Sequence, residues 1–303
     1  MITRRQLLQG TAAVATGGLG FGSYALAEPF GSRVTTYHIS PPRWPKGLSL
    51  RLAVLADIHA CKPWMDADRI RGLAAQVNTL GADCVLLLGD FVAGRRLLRY
   101  AEPVAAKDWA GALGTLQAPL GVHAVLGNHD WWEDDQVQRL RRGPVPAALA
   151  LEDAGIRVYE NTCLRLSKNG TPFWLAGLGD QWAFWPRRSE RRGEVPYFGV
   201  DDLTQALAPA IDGAPIILMA HEPDIFPQVP DRVSLTVCGH THGGQVRVFG
   251  YAPIVPSRYG SRYLYGHIVE ENRHLVVSGG LGCSGLPVRF GAPPEVVLIE
   301  VSA

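Results

Sequence analysis

Apolar residues in this chain gather in short runs that break off at polar residues. LRLAVLADIH (50–59), DCVLLLGD (83–90), LGVHAVLGNHD (120–130), APIILMAHEPD (214–224) and VSLTVCGHTH (233–242) all have this form. Runs of this length predict strands buried on both faces. Between them, MDADRIRGLAAQVNTLG (65–81) has helical spacing and stops at a glycine. Residues 103–117 and 201–210 also read as helices, and 134–155 as one or two helical pieces broken at Pro144 and Pro146. Shorter strands are expected near 156–166 and 172–178, with a strand-rich tail at 267–270, 273–278 and 295–300. Residues 28–49 predict an extended lead-in, and DQWAFWPRRSERRGEVPYFG (180–199), which has no period, predicts a long loop. Strands interleaved with helices, then a strand-rich end, predict a layered α/β sandwich. The helices are too few for the eight βα units of a TIM barrel.

Residues 1–27 are of another kind. A basic start (MITRRQLLQG) leads into a Gly/Ala-rich middle and ends at Ala25-Leu26-Ala27, the pattern of an export signal with a small-residue cleavage site. Thr3-Arg4-Arg5-Gln6-Leu7-Leu8 resembles a twin-arginine signal, which makes the twin-arginine export machinery an expected partner. The alternative, a membrane anchor, needs about 20 strongly apolar residues, and this stretch is shorter and rich in glycine. The expected location is therefore the periplasm or the outer face of the cytoplasmic membrane.

Composition narrows the picture further. A net charge of +1 gives no electrostatic reason to expect nucleic acid. Five scattered cysteines without a CxxC predict neither a zinc finger nor a disulfide framework. Cys61 stands out only because it follows the first polar motif.

The chemistry lies where the strands run out. Asp57-Ile58-His59, Gly89-Asp90, Gly127-Asn128-His129-Asp130, His221 and Gly239-His240-Thr241-His242 all follow apolar runs. In open α/β sheets such ends converge on one crevice. The i, i+2 spacing of Asp57/His59 and of His240/His242 lets both side chains face one way from extended backbone. Imidazole, carboxylate and amide donors suit a pair of divalent transition ions, Mn, Fe or Zn, and a donor set that needs no cysteine argues against a structural zinc site.

The ordered set D-x-H, G-D, G-N-H-D, H and G-H-T-H resembles the calcineurin-like metallophosphoesterase superfamily. GNHDWW, AHEPD, GHTHGGQV and the tail GGLGCSGLPVRFGAPPEVVLI resemble its exported bacterial YkuE-type branch. The resemblance covers about residues 50–300 and implies a four-layer αββα sandwich with mixed sheets, the domain then spanning 50–303. It implies that Asp57, His59 and His242 hold one metal, that Asn128, His221 and His240 hold the other, and that Asp90 bridges them together with a hydroxide. His129 is then the histidine over the phosphoryl group and Asp130 orients it. The implied reaction is phosphoester hydrolysis by in-line attack of the bridging hydroxide. Arg289 is a candidate phosphate contact. Trp131, Trp132, Trp182 and Trp185 are candidates for lining a pocket. WPRRSERRG (185–193) is a candidate contact for an anionic headgroup or membrane surface, although such a run is more often a solvated loop.

The expected substrate is a phosphodiester or lipid-linked phosphate of the cell envelope. A UDP-diacylglucosamine-type pyrophosphate is an alternative that fits the exported location less well. A catalytically silent binding module is disfavoured by the complete ligand set. A β-lactamase-type metallohydrolase would need an HxHxDH run, which the chain lacks.

Overall fold

In the computed structural model, which describes residues 22–187 and 197–303, alternate residues of each apolar strand enter different cores. The first half of the chain supplies β1 (Arg33–Ile39), β2 (Leu50–Leu55), β3 (Cys61–Lys62), β4 (Cys84–Leu88), β5 (Glu102–Pro103), β6 (Val122–Val125) and β7 (Arg157–Tyr159). The second supplies β8 (Thr162–Lys168), β9 (Thr171–Gly177), β10 (Ile216–Met219), β11 (Val233–Cys238), β12 (Gly266–Glu270), β13 (Arg273–Val277) and β14 (Glu295–Val301). The α-helices considered below are α1 (Ala67–Asn78), α2 (Ala106–Leu113), α3 (Asn128–Trp132), α4 (Asp135–Leu140), α5 (Pro146–Asp153) and α6 (Leu203–Leu207).

Two six-stranded sheets result. The first has the order β1-β14-β2-β4-β6-β7, with β2, β4, β6 and β7 parallel and β14 antiparallel to β2. The second has the order β12-β13-β11-β10-β9-β8, parallel at its centre and antiparallel at both edges. The short strands β3 and β5 pair separately.

The period of two decides the layers. Leu52, Val54, Leu86 and Leu88 meet Ile217, Met219, Leu235 and Val237 between the sheets. Their neighbours Ala53, Leu55, Val85 and Leu87 face outward against α1, α2 and α5, packing with Ile70, Leu73, Trp109, Leu113 and Leu151. Ile216, Leu218, Leu275 and Val277 face the opposite layer, which includes Ala206 and Leu207 of α6. Fully burying one such Leu or Val stabilises the fold by about 1.5–3 kcal/mol. The arrangement is the expected four-layer αββα sandwich with mixed sheets.

Local signals set the helix ends. Asp66 caps α1 by accepting from Arg69 N at 2.9 Å, and Asp134 caps α4 by accepting from Val137 N at 2.8 Å. The stretch 134–155 divides into α4 and α5, with Pro146 opening α5, where its missing N–H costs nothing.

The lead-in departs from expectation. It is extended, but it does not precede the sheet: β1 pairs in parallel with β14 along all seven of its residues. Its Thr35 and Tyr37 have too weak an alternation to announce a strand, and the pairing partner lies at the far end of the chain. Of the expected export signal, residues 1–21 lie outside the described residues. Residues 22–27 are helical, and Ala25 O accepts from Arg289 N at 3.0 Å. Of the expected loop at 180–199, residues 188–196 lie outside the described residues, and Phe184 and Phe198 exchange two backbone hydrogen bonds across that interval.

Candidate metal centre

Asp57 and Asp90 each lie two residues beyond the carboxyl end of a parallel strand, β2 and β4, and Asn128 lies three beyond β6. In the second sheet, His221 follows β10 and His240 follows β11 at the same two-residue interval. The face-to-face sheets therefore deliver both sets of ends to one place. Within it, ligand atoms of Asp57, His59 and His242 lie within 4.8 Å of one another, and so do those of Asp90, His221 and His240. Asp90 joins the halves: its Oδ2 is 3.4 Å from His59 Nε2 and 3.3 Å from His221 Nε2.

The backbone is unusual here. Asp57, His59, Asp90, His240 and His242 all have positive φ, between 45° and 71°. Each such non-glycine residue costs about 1 kcal/mol or more. The surroundings hold them in place: Asp57 N donates to Gly89 O, His59 N to Asp90 O, and Gly282 N to Asp57 O. Gly127 is required by close approach, since a Cβ there would lie 2.5 Å from Asp90 Oδ1 and 2.6 Å from His221 Cε1.

Backbone carbonyls orient the rings. His59 Nδ1 donates to Val92 O at 3.1 Å and His221 Nδ1 to Leu88 O at 2.6 Å, which turns both Nε2 atoms inward. Inside, His59 Nε2 lies 3.1 Å from His242 Nε2, and His240 Nδ1 lies 3.2 Å from His221 Nε2. The side-chain oxygen of Asn128 is buried with no hydrogen-bond partner among the described residues.

Charge in this cluster is poorly satisfied by the protein alone. Burial pushes Asp57 up to about 7, with Asp90 adding to the rise. Burial lowers His59 to about 4 and holds His240 and His242 well below their ordinary values. His221 moves the other way: burial opposes its charge, but the adjacent Asp90 outweighs it. Asp90 itself stays ionised against its burial because His221, His129 and His59 surround it. Inward-facing nitrogen lone pairs, two buried carboxylates and an orphaned amide oxygen suit a pair of divalent cations, so the residues present fit the expected dinuclear centre.

Around the ligands the structure reassigns several residues. His129 stands beside the centre, 5.0 Å from the His59 ring, and its Nε2 faces Ser284 Oγ at 3.5 Å. Asp130 does not orient it. The Asp130 carboxylate accepts from the backbone N–H groups of Asp90, Phe91, Val92 and Gly127 at 2.9–3.1 Å, locking the β4 loop to the β6 loop. Glu133 is the partner of His129, with Oε1 3.1 Å from Nδ1. Burial opposes charge on His129, yet Asp90 and Glu133 raise its pKa overall.

Arg289 does not reach the open site either. It is fully buried, and it donates to Gly282 O, Gly279 O and Ala292 O while Nη2 lies 3.2 Å from His242 Nδ1. It braces the tail loop behind His242. Trp131 turns into the core against Phe184. Trp132, Trp182, Trp185 and Tyr197 instead form an aromatic wall from His129 to His240, with ring centroids 4.2–5.1 Å apart. Cys61 packs with Ala93, Leu97 and Cys283, and burial raises its thiol to about 11.

Known proteins place this geometry. Residues 50–244 match the family described as calcineurin-like phosphoesterase. The uncharacterized metallophosphoesterase YkuE of Bacillus subtilis is 26% identical over 310 residues, covering 100% of this chain and 98% of the relative. The phosphodiesterase YaeI of Escherichia coli is 27% identical over 308 residues, covering 99% of this chain and 100% of the relative. Among solved structures, a dimetal phosphatase from Danio rerio covers 77% of this chain and 88% of its own, at 16% identity and a TM-score of 0.42. The chain belongs to the calcineurin-like phosphoesterase family, in its YkuE-type branch, and is a metal-dependent phosphoester hydrolase.

Proposed function

We propose that this phosphoesterase is exported and hydrolyses a phosphodiester or a lipid-linked phosphate of the cell envelope. The observation that carries the substrate reading is the aromatic wall beside His129, which offers stacking faces to an apolar or sugar-bearing group next to the scissile phosphate. The export reading rests on the twin-arginine-like start of the chain.

Asp57, His59 and His242 would hold one ion, Asn128, His221 and His240 the other, and Asp90 both. Two such ions supply a nucleophile from water near neutral pH and neutralise the phosphoryl oxygens. The chain's own residues do the rest. His129 turns Nδ1–H to Glu133, so a protonated ring presents Nε2–H to the phosphoryl group or to the leaving oxygen. Asp130 keeps the Asp90 and Asn128 loops in register, so the two halves keep a fixed separation. Trp132 and Trp182, at either end of the wall, restrict water and position the group beyond phosphorus.

The test is hydrolysis by the purified chain reconstituted separately with Mn, Fe and Zn. A generic diester is run beside a monoester, with His129→Ala as control. Metal-dependent diester turnover that collapses in His129→Ala is the expected result. No turnover with two ions bound per chain would replace this reading with that of a binding module.

A further inference from the structure

The chain leaves the metal centre through a hairpin that the fold itself does not use. After His242 it runs out along residues 246–256 and returns. Val248 and Tyr251 exchange both backbone hydrogen bonds, at 2.9 and 3.0 Å, which leaves Phe249-Gly250 as a two-residue turn. Both turn residues have positive φ, 50° and 83°. Turns of this kind favour Asn-Gly, and a bulky residue in the first position is strained. Phe249 nonetheless occupies it, fully exposed, and Tyr251 and Ile254 beside it are 72% and 79% exposed. These side chains gain no burial from the fold that would offset the strain and the exposure.

The hairpin is mounted on residues beside the metal ligands. At its root, Gln245 donates to Ser284 O and Leu286 O and accepts from Ser284 N. At its return, the buried Asp224, three residues after His221, accepts from Ser257 Oγ and Arg258 N. The tip is therefore held at a fixed position relative to the centre. Arg247 and Arg258 flank it, Arg247 lying over the Tyr265 ring at 4.8 Å. An apolar tip with basic residues at its base matches an anionic lipid interface, acyl chains above and phosphate headgroups below. A narrow tip of three side chains is small for a stable dimer, which buries about 800 Å² per partner.

We propose that residues 246–256 are a membrane-docking wedge: Phe249, Tyr251 and Ile254 enter an anionic phospholipid surface and seat the metal centre over its headgroups. The wedge builds on the lipid-phosphate reading above and gives it a partner surface.

The experiment is co-sedimentation of the full chain with phosphatidylcholine vesicles, with and without phosphatidylglycerol. It is run on the native protein, on Phe249→Asn and on the double variant Tyr251→Ser/Ile254→Ser. The native chain is expected to bind the phosphatidylglycerol vesicles, and each variant to bind roughly tenfold more weakly or worse. Phe249→Asn creates the favoured Asn-Gly turn, so it should melt no lower than the native chain, which separates lost binding from lost folding. Phe249→Trp should shift its emission to the blue when vesicles are added. No binding by the native chain, or equal binding by the variants, overturns the wedge. So does a variant that turns a dimer into a monomer, because the tip would then contact a second copy. Turnover of a soluble diester, measured on all samples, should not change. If the native chain binds vesicles but turns over no ester, the hydrolase reading fails while the wedge stands.

Discussion

Glu133 sits one turn after His129 and takes the hydrogen bond from its Nδ1 at 3.1 Å. Its other carboxylate oxygen is held by Arg95 Nε at 3.1 Å, so the imidazole ends a chain that begins at the surface. The ring is thereby fixed in both plane and tautomer, with Nε2 left for the substrate.

Replacing Glu133 should therefore slow the chemistry and leave binding alone. Glu133→Ala is expected to lower kcat about 10–100-fold with little change in KM. Glu133→Gln, which can still accept at one oxygen, should recover part of the loss. A purely structural role would instead lower Tm in step with activity, so melting and steady-state kinetics are measured on the same samples.

Metal removal should be costly for the whole domain. The five left-handed ligand residues are strained, and burial disfavours charge on Asp57 when no cation faces it. Chelation should lower Tm, the two sites together losing what binding adds, about 4 kcal/mol each at free metal a thousandfold above Kd. Asn128→Ala should retain one ion fewer per chain, and His129→Ala should retain both, as read by elemental analysis. Loss of an ion from His129→Ala would make His129 a ligand.

Arg289 separates support from recognition. Its guanidinium satisfies carbonyls of Gly279, Gly282 and Ala292 in the interior. Arg289→Gln should destabilise the chain by about 3 kcal/mol or more, because those carbonyls lose a charged donor. At temperatures where the variant is folded, KM should stay near the native value. A raised KM with an unchanged Tm would return Arg289 to the substrate.

Acid should weaken the fold partly through His123. It is buried between the sheets, with Nε2 donating to Leu120 O and Nδ1 accepting from Tyr159 OH. Burial lowers its pKa below 6.5, so the unfolded chain binds its proton first. Stability from this group is therefore complete above about pH 6.5 and declines as pH falls from there toward the lowered native pKa. His123→Gln keeps the donor to Leu120 and should flatten part of that decline in denaturant unfolding between about pH 7 and 5.

Much of the layering was legible because strands buried on both faces have to be apolar throughout, as LRLAVL and CVLLL are. The ligand residues were legible because they follow such strands directly. What escaped depends on contacts distant in sequence. The pairing of β1 with β14 joins residues about 260 apart, and nothing local in RVTTYHI announces it. Glu133 was one turn from a known motif, and its i, i+4 spacing from His129 was the available signal. Arg289 and Trp131 were misread for a different reason. A basic or aromatic residue beside a site motif can face either way, and only the path of the backbone decides which.

The position of β14 has a consequence for how the molecule is made. Its seven residues lie between β1 and β2, so the first sheet stays open until Glu295–Val301 has been made, after every other strand of both sheets. By then every ligand from Asp57 to His242 has already been synthesised, while the strand that joins β1 to β2 is still missing. A nascent chain stalled before Glu295 would carry the full donor set with β1 not yet joined to the rest of its sheet. The first sheet is thus completed by a strand that bears none of the centre's ligands and follows all of them in sequence.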